Sequence, residues 1–186
     1  MDRATILNLP NSLTLIRIAC IPALILLATS EARWAGLLAA LVFALASATD
    51  FLDGYLARKL ERVTVLGKFL DPIADKLIVS AALIMLVSLG RAPAWVVFVI
   101  IGREIAVTGL RAMAASAQGL VIQAGWWGKL KTACQMVAIL ALLLHYPYWG
   151  VNINLIGTLF LYAALVLTVL SGWLYFKNHW GVISEI

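Results

Sequence analysis

Six apolar stretches, each long enough to cross a lipid bilayer, follow one another along the chain and constrain its fold more than any other feature. They run approximately over 12–30, 34–57, 70–90, 93–115, 127–146 and 153–176. A span needs roughly 17–25 mainly apolar residues. Short charged or turn-prone pieces separate them: SEAR, RKLERV, GRAP, AQGLVIQAG and YPYWGVN. Backbone polar groups in hydrocarbon must be satisfied within their own segment, so such stretches are helices. Only 12% of residues are charged, against about 25% in a typical soluble domain. There is no internal repeat and no separate soluble domain. The expectation is an all-α integral membrane protein, a single domain over 1–186 with six transmembrane helices.

The charged residues assign sides to these helices. Fourteen Lys and Arg oppose nine Asp and Glu, and the cations sit at the ends of apolar runs. That placement argues for a membrane and against nucleic acid as a partner. Arg3 and Arg17, then Arg58, Lys59, Arg62 and Lys68, then Arg111, Lys129 and Lys131, and finally Lys177 fall on one side. The opposite connections hold only Arg33 and Arg91. By the positive-inside rule both termini are cytosolic. Cys20 and Cys134 lie inside apolar runs without metal-ligand or disulfide spacing, and His145 and His179 carry no signal. A cleaved signal peptide ending near ATSEA is not expected, because hydrophobic sequence resumes after Arg33. Trp149, Trp173, Tyr175 and Trp180 read as interfacial anchors.

Against this background the stretch DFLDGYLARKLERVTVLGKFLDPIAD, residues 50–75, stands out. It gathers Asp50, Asp53, Asp71 and Asp75, four of the nine acidic residues. A carboxylate at the bilayer centre costs about 2.5–3.5 kcal/mol on insertion scales, so acids within spans are functional candidates. Asp50, Asp53, Gly54 and Ala57 share one helical face at i, i+3, i+4 and i+7, and Gly67, Asp71 and Asp75 share another at i, i+4 and i+8. The small residues keep both faces slim enough for a ligand to approach the backbone. Four unpartnered carboxylates would repel and raise one another's pKa values. An all-oxygen donor set suits Mg²⁺ or Mn²⁺, and two such ions would neutralise the cluster and bind phosphoryl groups. Arg58 adds a planar donor for a phosphate. Two plainer accounts compete: Asp71 before Pro72 as a helix N-cap, and salt bridges from Lys68 or Lys76. Each explains two acids, and neither explains four with small residues in register.

The same stretch resembles the signature of the CDP-alcohol phosphotransferases, Asp-x2-Asp-Gly-x2-Ala-Arg-x8-Gly-x3-Asp-x3-Asp. All eight fixed positions and every spacer length match. The resemblance implies the six-helix CDP-alcohol phosphotransferase fold, a homodimer, and a reaction at the cytosolic membrane face. There a CDP-linked lipid gives its phosphatidyl group to an alcohol and CMP leaves. On that basis Asp50, Asp53, Asp71 and Asp75 hold the divalent ions, Gly54, Ala57, Arg58 and Gly67 line the CDP-lipid pocket, and Asp75 doubles as general base.

Further pieces resemble one branch of that family, whose substrates are CDP-diacylglycerol and glycerol 3-phosphate. They are PNSLTLIR with Asn11, Thr14 and Arg17, then ADKL, then GREIAVTGLRAMAASAQGLVIQAGWWGKLKTACQM. Asn11 and Thr14 are expected to reach the nucleotide. Arg103, Val107 and Arg111 lie on one helical face at i, i+4 and i+8, and Lys129 and Lys131 open the next span on the same side. Four such donors suit a dianionic acceptor phosphate, although lysines near a span's end also snorkel to headgroups without specific function. Glu104 is expected to orient an arginine, and Thr64 to cap a helix. The last span carries no motif. The expected setting is the bacterial cytoplasmic membrane, among membrane lipids. Phosphatidylinositol-phosphate synthase and cardiolipin synthase activities are the nearest alternatives. A divalent-cation transporter is disfavoured, because the acids cluster at one end of their spans rather than along a path.

Overall fold

The computed structural model describes residues 9–60, 65–118, 125–147 and 150–184; within the helices, the side chains of 9–11, 13, 50–60, 65–72, 114–118 and 178–184 lie outside the described set. Six helices fill these residues: α1 (Leu9–Ala28), α2 (Arg33–Leu60), α3 (Val65–Ser88), α4 (Ala94–Gln118), α5 (Trp126–Leu144) and α6 (Ile153–Ser184). Each expected apolar stretch holds one helix. α6 extends well past its apolar run, to Ser184, and α2 and α4 pass theirs by a few residues, to Leu60 and Gln118. Among the described residues, Trp126–Leu144 and Ile153–Lys177 are long and apolar enough to cross a membrane, while Thr14–Ala28 and Arg33–Thr49 are shorter apolar pieces. Charges interrupt the others, notably Asp75 and Lys76 in α3 and Arg103, Glu104 and Arg111 in α4.

The helix ends follow from local chemistry. Gly90 adopts a left-handed φ of 68° just beyond α3, the usual glycine stop. The GRAP turn then ends at Pro93, whose carbonyl accepts from Val96 and Val97 to open α4. Asn152 caps α6, its Oδ1 accepting from the Leu155 amide at 3.1 Å. His145 ends α5 with a φ of 55°.

The chain forms two compact units, residues 1–89 with 143–146, and residues 90–142 with 147–186. In the first, α1 packs on α2 and α3. Ala35, Ala39, Phe43 and Ala46 make the buried stripe of α2, and Ala74, Ile78, Ala82 and Leu86 that of α3. The alanines bring backbones close enough for Arg17, 1% exposed, to donate its Nε to the Ala46 carbonyl at 3.1 Å. The 143–146 segment is tied to the α1–α2 turn, where the Tyr146 hydroxyl donates to the Glu31 carbonyl and Arg33 lies 5.1 Å over the Tyr146 ring.

In the second unit α4 packs on α6. Val96, Ile100, Arg103, Val107 and Arg111 form one face of α4, and Leu161, Ala164, Thr168, Ser171 and Tyr175 form a buried seam of α6. Both seams begin apolar and turn polar toward their C-terminal ends. Gly157 admits α5 closely, since a Cβ there would stand 2.7 Å from Leu142 Cγ. Arg91 reaches the Leu142 carbonyl at the end of α5, 3.4 Å away.

Candidate functional site

The first unit carries the acid-bearing helices. α2 is unbroken through positions 50, 53, 54 and 57, and α3 through 67, 71 and 75, so the two helical registers inferred from spacing hold. Asp71 and Pro72 lie six and seven residues past Val65, well inside α3. Asp71 is therefore not an N-cap, and that account of the acids is set aside. The side chains of Asp50, Asp53, Gly54, Ala57, Arg58, Gly67, Lys68, Asp71 and Asn11 lie outside the described residues, as does Thr64 altogether. Asp75 and Lys76 are described, both half-buried and both engaged by partners. Thr14 and Arg17, one turn apart on α1, are fully buried and engaged as well.

A metal would have to find hard oxygen donors here, and the donor set meets that requirement. Residues 50–75 contain four aspartates and neither His nor Cys, which selects Mg²⁺-like ions over zinc or copper. The helical register adds that Asp50 and Asp53 stand one turn apart, as do Asp71 and Asp75, so each helix can offer a pair.

The second unit carries the cations, and three helices organise them. Glu104 on α4 is the centre. Its Oε1 accepts from Arg103 NH1 at 3.0 Å and from Lys131 Nζ of α5. Lys131 is 3% exposed and Glu104 26%, so it is the lysine that is desolvated, and a buried charge survives only with close geometry and further hydrogen bonds. Arg103 supplies one: its NH2 donates to Ser171 Oγ of α6 at 3.0 Å. Arg111, two turns along α4, lies 5.5 Å over the Tyr175 ring. The Nε atoms of both arginines are buried and have no hydrogen-bond partner. Orphaned buried donors are costly and point to a missing acceptor. Glu104 thus orients Arg103, as expected, and it also binds Lys131.

Lys129 is placed differently. It is exposed in the first turns of α5, and residues two apart on a helix do not share a face. Of the four expected acceptor cations, the structure joins Arg103 and Lys131 through Glu104, sets Arg111 two turns from Arg103 on the same face, and leaves Lys129 on the other side of α5. The sequence also missed the polar seam of α6. Tyr175, expected as an interfacial anchor, is 8% exposed and lies beneath Arg111; Trp173, 70% exposed, fits the anchor role, and the side chains of Trp149 and Trp180 lie outside the described residues. The signal was present as heptad spacing, 161, 164, 168, 171 and 175, with its last three positions Thr, Ser and Tyr.

Acids in a fixed eight-position register on consecutive helices define a class. The chain belongs to the CDP-alcohol phosphatidyltransferase family, whose model matches residues 7–170. Enzymes of this family use divalent metal ions. Among its relatives is the CDP-diacylglycerol–glycerol-3-phosphate 3-phosphatidyltransferase of Bacillus subtilis (strain 168), 48% identical over 190 residues that cover 95% of this chain and 97% of the relative. Proteins of the same name from Pseudomonas fluorescens and Yersinia pestis (strain Pestoides F) are 43% and 37% identical, over 94% and 96% of this chain and 91% and 98% of their own lengths.

Proposed function

We propose that this chain transfers the phosphatidyl group of CDP-diacylglycerol to glycerol 3-phosphate and releases CMP. The observation that carries the reading is the nearly full-length similarity to proteins named for that one reaction. The cation cluster of the second unit supports the choice of acceptor, because serine or choline carries no phosphate for it to hold.

In this reading Asp50, Asp53, Asp71 and Asp75 hold two Mg²⁺ or Mn²⁺ ions. When bound, these neutralise the carboxylates and stabilise charge on the pyrophosphate of the lipid substrate. Gly54, Ala57 and Gly67 leave room for the cytidine diphosphate, and Arg58 donates to its phosphates. Asn11 and Thr14 support the nucleotide from α1. Arg103, Arg111 and Lys131 hold the acceptor phosphate, with Lys129 adding charge from outside. Asp75 accepts the proton of the glycerol 1-hydroxyl as that oxygen attacks the lipid-linked phosphorus. The phosphorus–oxygen bond to CMP breaks, and the departing charge meets Arg58.

The protein works in this reading as a homodimer in the bacterial cytoplasmic membrane, six helices spanning it, with both termini and the site on the cytosolic side. Large apolar side chains exposed all along the helices support the membrane setting, among them Leu26, Phe98, Leu159 and Val166. The lysines and arginines concentrated on one set of connections support the orientation.

One assay tests the whole. Purified protein in detergent with Mg²⁺ and CDP-diacylglycerol is offered glycerol 3-phosphate, inositol phosphate, phosphatidylglycerol and serine in parallel, and CMP release is followed. Release with glycerol 3-phosphate alone is expected. Faster release with inositol phosphate or phosphatidylglycerol would overturn the acceptor assignment in favour of a sister activity.

A further inference from the structure

We propose that the last helix sets the affinity for the phosphorylated acceptor: Ser171 and Tyr175 of α6 are positioning residues that aim Arg103 and Arg111. The proposal rests on the reading of those arginines as acceptor ligands and assigns a role to a helix that carries no motif.

The polar end of the α6 seam is built in a definite hydrogen-bond direction. The Thr168 hydroxyl donates back to the Ala164 carbonyl at 2.6 Å, and the Ser171 hydroxyl donates to the Thr168 carbonyl at 3.2 Å. With its proton committed there, Ser171 Oγ presents lone pairs, and Arg103 NH2 takes one of them. Glu104 holds the other terminal nitrogen. A guanidinium is planar and presents five donors in a fixed fork, so two anchors on its two terminal nitrogens fix the plane of the whole group. Gly172 lies against the same side chain: a Cβ there would stand 3.3 Å from Arg103 Cγ, a tight contact, and 3.6 Å from its Nε.

Arg111 is held by different means. The face of the Tyr175 ring lies under its guanidinium, a contact that attracts the cation without consuming any of its N–H donors. Its Nε is buried and unbonded. A guanidinium serving only to lock helices together would be expected to fill its donors with protein acceptors, because each buried orphan is costly. Here both arginines are aimed by α6 and both keep a donor unused, which suits an anionic ligand that arrives from outside. Tyr175 is four residues beyond Ser171, and Arg111 eight beyond Arg103, so α6 runs along α4 in the same direction and meets each arginine in turn.

The test compares Ser171→Ala, Ser171→Thr, Tyr175→Leu and Tyr175→Phe in the full-length protein in detergent, with Arg111→Ala as a control. CMP release is measured against each substrate separately, and glycerol 3-phosphate binding is measured by calorimetry without lipid. Ser171→Ala is expected to raise the glycerol 3-phosphate KM and Kd about ten-fold, as loss of a hydrogen bond to a charged group does. Tyr175→Leu is expected to raise both about five-fold. The KM for CDP-diacylglycerol stays put in each case. Ser171→Thr, which keeps a hydroxyl, and Tyr175→Phe, which keeps the ring face, recover most of the loss. Equal rises in both KM values, or a fall in kcat alone, would mean that α6 only holds the fold together and would overturn the proposal. A rise in Arg111→Ala with none in Ser171→Ala and Tyr175→Leu overturns the positioning role alone. No rise in Arg111→Ala overturns the acceptor reading and this proposal with it.

Discussion

The acid-bearing helices α2 and α3 and the cation-bearing helices α4, α5 and α6 solve the same physical problem, charge within an apolar chain, in opposite ways. The acids are grouped by local spacing on two helices adjacent in sequence, and nothing in residues 50–75 but Arg and Lys is available to balance them. The cations are grouped by long-range contacts: Glu104 meets Lys131 across 27 positions, and Arg103 meets Ser171 across 68. In the second unit Glu104 ties two of the cations together without any added ion, whereas in the proposed reading the aspartates of the first are gathered by bound divalent ions. One half of the chemistry should depend on metal and the other should not.

Removing divalent ions is the strongest way to break that contrast. Chelation is expected to abolish CMP release, and Mg²⁺ or Mn²⁺ to restore it, because the aspartates cannot hold a pyrophosphate unaided. Glycerol 3-phosphate binding, measured by calorimetry without lipid, should change by less than about twofold, since its ligands are already charged and placed. Acceptor binding that vanished with the metal would mean that the two charge groups are not independent. Next in size, Asp75→Asn should lower kcat about a thousand-fold, the range of a lost general base, with the helical signal and thermal unfolding in detergent unchanged. Near wild-type CMP release from that variant would remove Asp75 from the proton transfer.

The same contrast explains what the sequence disclosed. Six helices were legible because lipid-length apolar runs with turn residues between them leave few alternatives, and each helix lies where its run does. The acid register was legible because a helix converts i, i+3, i+4 and i+8 into geometry without any knowledge of the rest of the fold. The arginine face of α4 was legible for the same reason. What Glu104 binds beyond its neighbour was not, because only folding brings Lys131 to it. Ser171 was passed over and Tyr175 was read as an interfacial anchor because serine and tyrosine are commonplace in apolar helices, and their meaning lies in two arginines more than sixty positions upstream. Asp71–Pro72 carried a competing local reading, a helix start, which only the structure removes, because α3 begins at Val65.

Glu104 sharpens the comparison from the cationic side. Glu104→Ala removes the carboxylate that Arg103 and Lys131 share, and since a hydrogen bond to a charged group contributes about 1.5–3 kcal/mol, it should lower the unfolding midpoint in detergent. Glu104→Gln keeps an acceptor for Arg103 and Lys131 but loses the charge. It should unfold closer to wild type while raising the glycerol 3-phosphate KM about three-fold, through two cations less firmly aimed. If Glu104→Ala were as stable as the parent, the buried pair would not be what organises the second unit.

The smallest effect is expected where register predicts separation. Lys129 and Lys131 are near neighbours in sequence, yet the first is exposed and the second is 3% exposed against Glu104. A charge in water acts on an acceptor phosphate only through a screened field, with a Debye length of about 8 Å at physiological salt and about 3 Å at 1 M. Lys129→Ala should therefore raise the acceptor KM by about twofold at low salt, and that difference should disappear as salt rises. Lys131→Ala should raise it about ten-fold and keep most of its effect in salt, because a desolvated charge is screened far less. Equal effects for the two lysines, with equal salt dependence, would place Lys129 in direct contact with the acceptor and show that α5 turns a second face to the ligand.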